Sequence, residues 1–302
     1  MKDSQIIKFD KTHEYSVSET INEVKDESGN ILRSLYKAFD TELGRKVAIK
    51  KSRIVGTDDE EKARAAEKLS SEIAAMLRIS SYVPQTPKLY ETFKDDEYLY
   101  IVMEWIESRT LGQVMNTTRS DDFMRYMIQL AKLLHVLEQK KVFHKDIKPE
   151  NILISEYTKD LYLIDFNITV SHANKQEGTR EYCAPEMMSG TETSRNKSDM
   201  FSIGVIMYEY FAKQRPVLGR EYGGLSKFGD VKWKKFVEPK EINEKIPFGI
   251  NNVIVRCMKA SPDDRYRDYG ELESALKGCL TRMNNGRNNK NGKPKHYNGN
   301  KK

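Results

Sequence analysis

The chain has 302 residues, 38% hydrophobic and 32% charged, which is enough to bury a core under a solvated surface and excludes a disordered polymer. Its formal charge of +6 is concentrated in residues 284–302, which hold six basic residues and no acidic one, so the remainder is neutral. Three cysteines, Cys183, Cys257 and Cys279, lack metal-ligand spacing, which excludes a zinc site and a disulfide framework and fits an intracellular setting, cytoplasmic or nuclear.

In chain order, the opening MKDSQIIKFDKTHEY mixes both charge signs and lacks the apolar stretch of a secretory signal. The runs ILRSLYKAF and KVAIKK flank the turn-like DTELG at Asp40–Gly44 and predict a hairpin from Ile31 to Lys51. From Asp58 to Ile79 the positions Leu69, Ile73, Met76 and Leu77 recur at helical spacing, with Thr57 or Asp58 as the cap. Strands near Lys88–Phe93 and Tyr98–Met103 follow. Beyond Glu104 the period becomes helical, with Phe123, Met127, Leu130, Leu134 and Leu137 on one stripe. Further helices are predicted over Met200–Phe211, Ile250–Met258 and Tyr269–Leu280. The run Phe201–Ala212 is too short to span a membrane and contains Glu209, so it reads as a buried helix. The tail NNGRNNKNGKPKHYNGNKK has almost nothing to bury and predicts disorder. It reads as a solvated end, with nuclear targeting or weak contact with nucleic acid or an acidic surface as the sharper alternative.

The chemistry-bearing stretches are HKDIKPEN at His144–Asn151, DFN at Asp165–Asn167, GTREYCAPE at Gly178–Glu186, SDMFSIGV at Ser198–Val205 and SPDDRY at Ser261–Tyr266. Their order and spacing resemble the eukaryotic-type protein kinase family, from about Ser28 to Leu280. The resemblance implies an α+β, bilobal fold: a small lobe of five antiparallel strands with one helix, and a mostly α-helical large lobe. It divides the chain into an N-terminal extension (1–14), a kinase domain (15–283) and a basic tail (284–302). Within the domain the small lobe reaches to about 103, the hinge is 104–106, and the large lobe is 107–283. A monomer is the default expectation.

The implied activity is transfer of the γ-phosphoryl of ATP, with Mg²⁺, to a serine or threonine hydroxyl of a protein substrate. Such transfer needs charge neutralised and oxygens held in line. By resemblance Asp146 takes the hydroxyl proton and Lys148 neutralises the γ-phosphate. Asn151 and Asp165 supply the hard oxygens that Mg²⁺ prefers. Lys50 of VAIK holds the α and β phosphates, oriented by Glu72, with Glu67 the weaker choice. Ala48, Leu35 and Leu153 enclose the adenine, Met103 stands behind it, and Glu104 to Ile106 offer backbone hydrogen bonds. His144 joins Met76, Leu89 and Phe166 in a structural column. Glu186 and Arg265 resemble a buried ion pair, and Asp199 a brace of the catalytic loop.

Six positions depart from the family pattern. Ser28, Asn30 and Arg33 stand where a phosphate loop has glycines, which permit close backbone approach, and this predicts weaker ATP binding. Asn167 replaces the glycine after Asp165 and Phe166, and asparagine tolerates left-handed backbone. Lys145 replaces an arginine, and Lys175 stands where an activating phosphate would, leaving Thr169 and Ser171 as the loop's hydroxyls. Lys148 with Thr179, which by resemblance bonds Asp146 and Lys148, favours serine/threonine over tyrosine specificity. Cys183 reads as a buried thiol. The rivals are a pseudokinase scaffold with weak nucleotide binding and a small-molecule kinase of related fold; the APE segment and Thr179 count against the second.

Overall fold

A computed structural model describes residues 6–8, 14–54, 70, 73–74, 76–79, 82–166, 179–189, 197–217 and 236–291. The chain forms two compact units: Met1–Thr110 with Asn151–His172, and Leu111–Glu150 with Ala173–Lys302.

The first unit is built on an antiparallel sheet of β1 (Ile6–Lys8), β2 (Glu14–Lys25), β3 (Ile31–Asp40), β4 (Arg45–Arg53), β5 (Leu89–Lys94) and β6 (Tyr98–Glu104), in the order β1-β2-β3-β4-β6-β5. The sheet therefore has six strands where five were expected. The additional strand lies in the N-terminal extension: Ile7 pairs with Tyr15, and both side chains are buried in the sheet's apolar cluster. Three residues bracketed by charges are too short a run for a period-two signal, so composition alone hid it.

The β3–β4 turn closes as its sequence predicts. Gly44 adopts φ +64, and its N–H donates to the Asp40 carbonyl at 2.9 Å, while the Asp40 carboxylate accepts the Leu43 N–H at 3.0 Å. Strand alternation then sorts the side chains. Tyr36 and Ala38 of β3, Val47 and Ile49 of β4, and Tyr100 and Val102 of β6 bury together with Ile7 and Tyr15. Phe93 stacks between Tyr15 and Tyr100, at 6.2 and 4.6 Å between ring centroids. Each such side chain contributes about 1.5–3 kcal/mol when fully buried, and period two puts Ala48 and Lys50 on the opposite face.

Of the helix predicted over 58–79, residues 70, 73–74 and 76–79 are described and are helical; Thr57, Asp58, Glu67 and Glu72 lie outside the described residues. A second, three-stranded sheet joins β7 (Ser108–Thr110), β8 (Ile152–Ser155) and β9 (Leu161–Leu163).

The second unit is helical. Its main helices are α1 (Ser120–Gln139), α2 (Pro185–Ser189), α3 (Ser198–Ala212), α4 (Phe248–Cys257) and α5 (Tyr269–Asn291). The predicted stripe of α1 is buried from Phe123 to Leu137, and this helix packs chiefly on α5. In α3 every residue except Glu209 is buried, which makes it the central rod of the unit. Gly204 lets α4 approach: a Cβ there would lie 2.6 Å from Met258 Cγ and 2.8 Å from Cys257 Cβ. The last helix runs on past Leu280 to Asn291, so residues 284–291 are helical where disorder was predicted. Its Asn and Gly are poor helix formers, so the extra turns propagate from the helix already nucleated upstream. Residues 292–302 lie outside the described set.

Candidate active site

In the first unit the predicted residues gather around β4 and β6. Lys50 reaches its Nζ to within 2.8 Å of Asp165 Oδ1, joining positions 115 residues apart. Lys50 is mostly buried and Asp165 nearly half exposed, with side chains 21% and 48% accessible. Asp165 holds a left-handed backbone, φ +62, rare for a residue with a side chain and typical of sites that fix a functional group. Asn151 is buried, and its carbonyl accepts the Ile164 N–H at 3.0 Å, tying it to the strand end that leads into Asp165.

Ala48 and Met103 are direct cross-strand partners in β4 and β6, and Leu35 of β3 is the partner of Lys50. The Glu104 N–H donates to the Lys88 carbonyl at 2.8 Å, and the Ile106 carbonyl accepts the Ser108 hydroxyl at 2.9 Å. Leu153 pairs with Thr110 and Tyr162 in the second sheet. Met76 and Phe166 line one cavity of about 20 Å³ with Met103 and Asp165, room for a water and not for a nucleotide. Glu72 lies outside the described residues, as do Asn167, Thr169, Ser171 and Lys175.

A brace around Glu107 was invisible in the sequence. Glu107 accepts Lys46 at 2.6 Å and Lys37 at 3.4 Å, and Lys37 also sits 4.5 Å above the Trp105 ring. The Lys46 hydrogen bond, with Trp105 and the Lys37 charge nearby, pushes the Glu107 carboxyl from 4.5 down to about 2. Three elements supply these residues, and no single-segment pattern reports such a meeting.

The turn between β2 and β3 was expected to be an eroded phosphate loop. It is closed by Asp26, whose Oδ1 accepts the N–H groups of Ser28 and Asn30 at 2.9 and 2.8 Å. Its Oδ2 accepts Asn30 Nδ2 and Arg53 Nη1, each at 3.1 Å. The spacing of Asp26 before Ser28, Gly29 and Asn30 is the turn signal that could have found it.

The second unit holds the other predicted group. Asp146 is buried, and its Oδ2 lies 2.9 Å from Lys148 Nζ. The loop carrying them is pinned from α3: Asp199 accepts the N–H groups of His144 at 2.9 Å and Lys145 at 2.8 Å. Burial pushes the Asp199 carboxyl up, opposed by His144 and by these two donors. Lys145 takes φ +65, and His144 Nδ1 accepts the Asp146 N–H at 3.3 Å, so a left-handed residue aims the loop while a buried imidazole anchors it.

The segment after Gly178 is anchored in the same unit. Arg265, fully buried, grips both Glu186 oxygens and donates to the carbonyls of Lys197, Lys259 and Ala260. Tyr182 donates to Glu209 at 2.5 Å, and Arg215 pairs with both Glu209 and Glu181. Thr179 begins the short 3-10 turn that leads to Tyr182, and its side chain lies outside the described set. Cys183 is half-buried rather than the buried thiol expected.

Among the described residues, no cluster of three or more His, Cys, Asp or Glu side chains is placed to hold a metal. Asn151 and Asp165 each carry a hard oxygen donor and Asp165 lies against Lys50, donor chemistry that fits Mg²⁺ shared with a nucleotide's phosphates rather than a cage made of protein alone. No described helix is long and apolar enough to cross a membrane.

An antiparallel-sheet unit and a helical unit make this a bilobal α+β protein. The chain belongs to the protein kinase domain family, which matches residues 29–276. It is 30% identical over 254 residues to a probable serine/threonine-protein kinase of Clostridium acetobutylicum, covering 80% of this chain and 37% of that one. It is 26% identical over 261 residues to the serine/threonine-protein kinase PrkC of Bacillus subtilis, covering 82% and 39%. With an Aurora kinase of Patiria pectinifera it shares 30% over 197 residues, covering 62% and 46%. The chain thus spans less than half the length of these relatives.

Proposed function

We propose that this chain is an active, ATP-dependent protein kinase that phosphorylates serine or threonine. The observation that carries the reading is the 2.8 Å contact between Lys50 and Asp165, a phosphate-binding cation and a metal-binding carboxylate brought together across 115 residues.

In the proposed mechanism Lys50 binds the α and β phosphates, oriented by Glu72. Asn151 and Asp165 hold Mg²⁺, which when bound would spread the triphosphate charge. The adenine lies against Ala48, Leu35, Met103 and Leu153. Because the Glu104 N–H is committed to Lys88, Glu104 serves the base with its carbonyl, and Ile106 serves it with its N–H. Asp146 takes the proton of the acceptor hydroxyl as that oxygen bonds to the γ-phosphorus and the bond to the β-γ bridging oxygen breaks. Lys148, held against Asp146, neutralises the equatorial oxygens. Thr179 would orient this pair toward a serine or threonine, and the relatives named as serine/threonine kinases support the same specificity.

A second reading, a scaffold with weak nucleotide binding, is favoured by one observation, the closure of the β2–β3 turn by Asp26. Labelled ATP, Mg²⁺ and generic basic proteins separate the two. Wild type should incorporate phosphate, and Asp146→Asn and Asp165→Ala should fall by at least about 100-fold. Equal incorporation by all three would overturn the enzymatic reading.

A further inference from the structure

The turn that joins β2 to β3 carries Ser28, Asn30 and Arg33 where the family resemblance implies glycines, and it closes on one of its own side chains. Backbone N–H groups in such a turn bind phosphate because they converge on one point and carry partial positive charge. Here they converge on a side chain of the same turn. The Ser28 and Asn30 amides both donate to Asp26 Oδ1, at 2.9 and 2.8 Å. The remaining oxygen takes Asn30 Nδ2 and the guanidinium of Arg53, which projects from the end of β4. The Gly29 amide donates to the Asp26 carbonyl at 3.0 Å, and the Asp26 amide to the Asn30 carbonyl at 2.9 Å.

Four amides of the turn are therefore engaged within it, and two of them hold a carboxylate. Gly29 takes φ +85, which lets the chain reverse around that carboxylate, and a Cβ on Gly29 would meet nothing within 4 Å. The glycine thus serves the reversal of the chain. The same hydrogen bonds, first that from Asn30, hold the Asp26 carboxyl below its ordinary range, so it is ionised at neutral pH.

We infer that Asp26 is an internal anion that occupies the phosphate-binding amides of this turn and sets the nucleotide specificity of the site, so that the triphosphate adds little affinity over the nucleoside. The inference rests on the ATP-binding reading above. A phosphate approaching the turn meets a fixed negative charge where a donor cradle would be. Its recognition then falls to Lys50 and to the Mg²⁺ that Asn151 and Asp165 would hold. Arg53 is part of the device, because it holds Asp26 from the strand side and keeps the carboxylate turned into the amides.

The test is calorimetric titration of the full chain with adenosine and with Mg²⁺-ATP, in wild type, Asp26→Ala and Asp26→Asn. The quantity read is the ratio of the two Kd values. Asp26→Ala frees two N–H donors and should tighten ATP by about 10-fold or more while leaving adenosine unchanged. Asp26→Asn keeps an acceptor oxygen for the same amides and hence the turn, but removes the charge, so its ratio should lie between the other two. If Asp26→Ala does not fold, the Asn variant alone decides, and a ratio within twofold of wild type overturns the inference. Adenosine and ATP binding with unchanged ratios in both variants overturns the inference and leaves the ATP reading standing. Binding of neither ligand by any of the three proteins overturns both.

Discussion

Arg265 and Glu186, 79 residues apart, meet through two parallel hydrogen bonds of 2.7 and 2.8 Å inside the helical unit. The guanidinium is fully buried and also donates to three backbone carbonyls, so every side of its fork is used. Removing either partner leaves a buried charge without compensation. Glu186→Gln and Arg265→Met should each lose about 3–5 kcal/mol in urea unfolding, with Arg265→Met the worse because three carbonyls also lose a donor. A loss under about 1 kcal/mol in both would contradict this account of the pair.

Lys50→Met separates chemistry from stability. Its partner Asp165 is nearly half exposed, so the lost ion pair should change unfolding free energy by no more than about 1 kcal/mol. Phosphoryl transfer should drop by about 100-fold or more in the same preparation. Lys50→Arg keeps the charge but not the point geometry and should recover little of the activity.

Gly204→Ala tests the packing of α3 on α4. A methyl there would press on Met258 and on the Cβ of Cys257, which is anchored to the α4 backbone and cannot swing away. The expected cost is about 1–3 kcal/mol, read as a lower urea midpoint with an unchanged slope. An equal or higher midpoint would show that the helices part without strain.

The Glu107 brace gives a pH dependence of defined sign. Its carboxyl is held at about 2 in the folded chain against 4.5 ordinarily, first by Lys46. A depressed carboxyl stabilises the fold above its unfolded value, and the contribution fades as pH falls from 4.5 through about 2. Lys46 is more than half exposed, so solvent screens the pair and the effect is small. The stability gap between wild type and Lys46→Met should therefore close on acidification from pH 5 toward pH 2. A gap that widened over that range would exclude this pairing as its source.

How much of this was legible in the sequence depends on whether the cause was local. The β3–β4 hairpin could be read because Asp40 and Gly44 carry their own turn chemistry, and α1 because its apolar period spans 20 residues. The family motifs marked Lys50, Asp146, Asn151 and Asp165 as candidates, but not that Lys50 would touch Asp165, since contact across 115 residues is a property of the folded chain. β1 escaped because three residues carry no period, and its reason for existing, the burial of Ile7 beside Tyr15, is tertiary. The helical continuation to Asn291 shows composition misleading in the other direction: an Asn- and Lys-rich stretch extends a helix already nucleated and packed by α1. Asp26, two residues before Ser28, carries a local turn signal that the missing glycines of this segment obscure.

The cation stacked on Trp105 carries an optical consequence. The chain has two tryptophans, Trp105 and Trp233, so Trp233→Phe would leave a single emitter between β6 and β7. With Lys37 4.5 Å above its ring, that indole's emission would respond to any ligand that shifts the ammonium, giving a label-free readout of occupancy from the native chromophore.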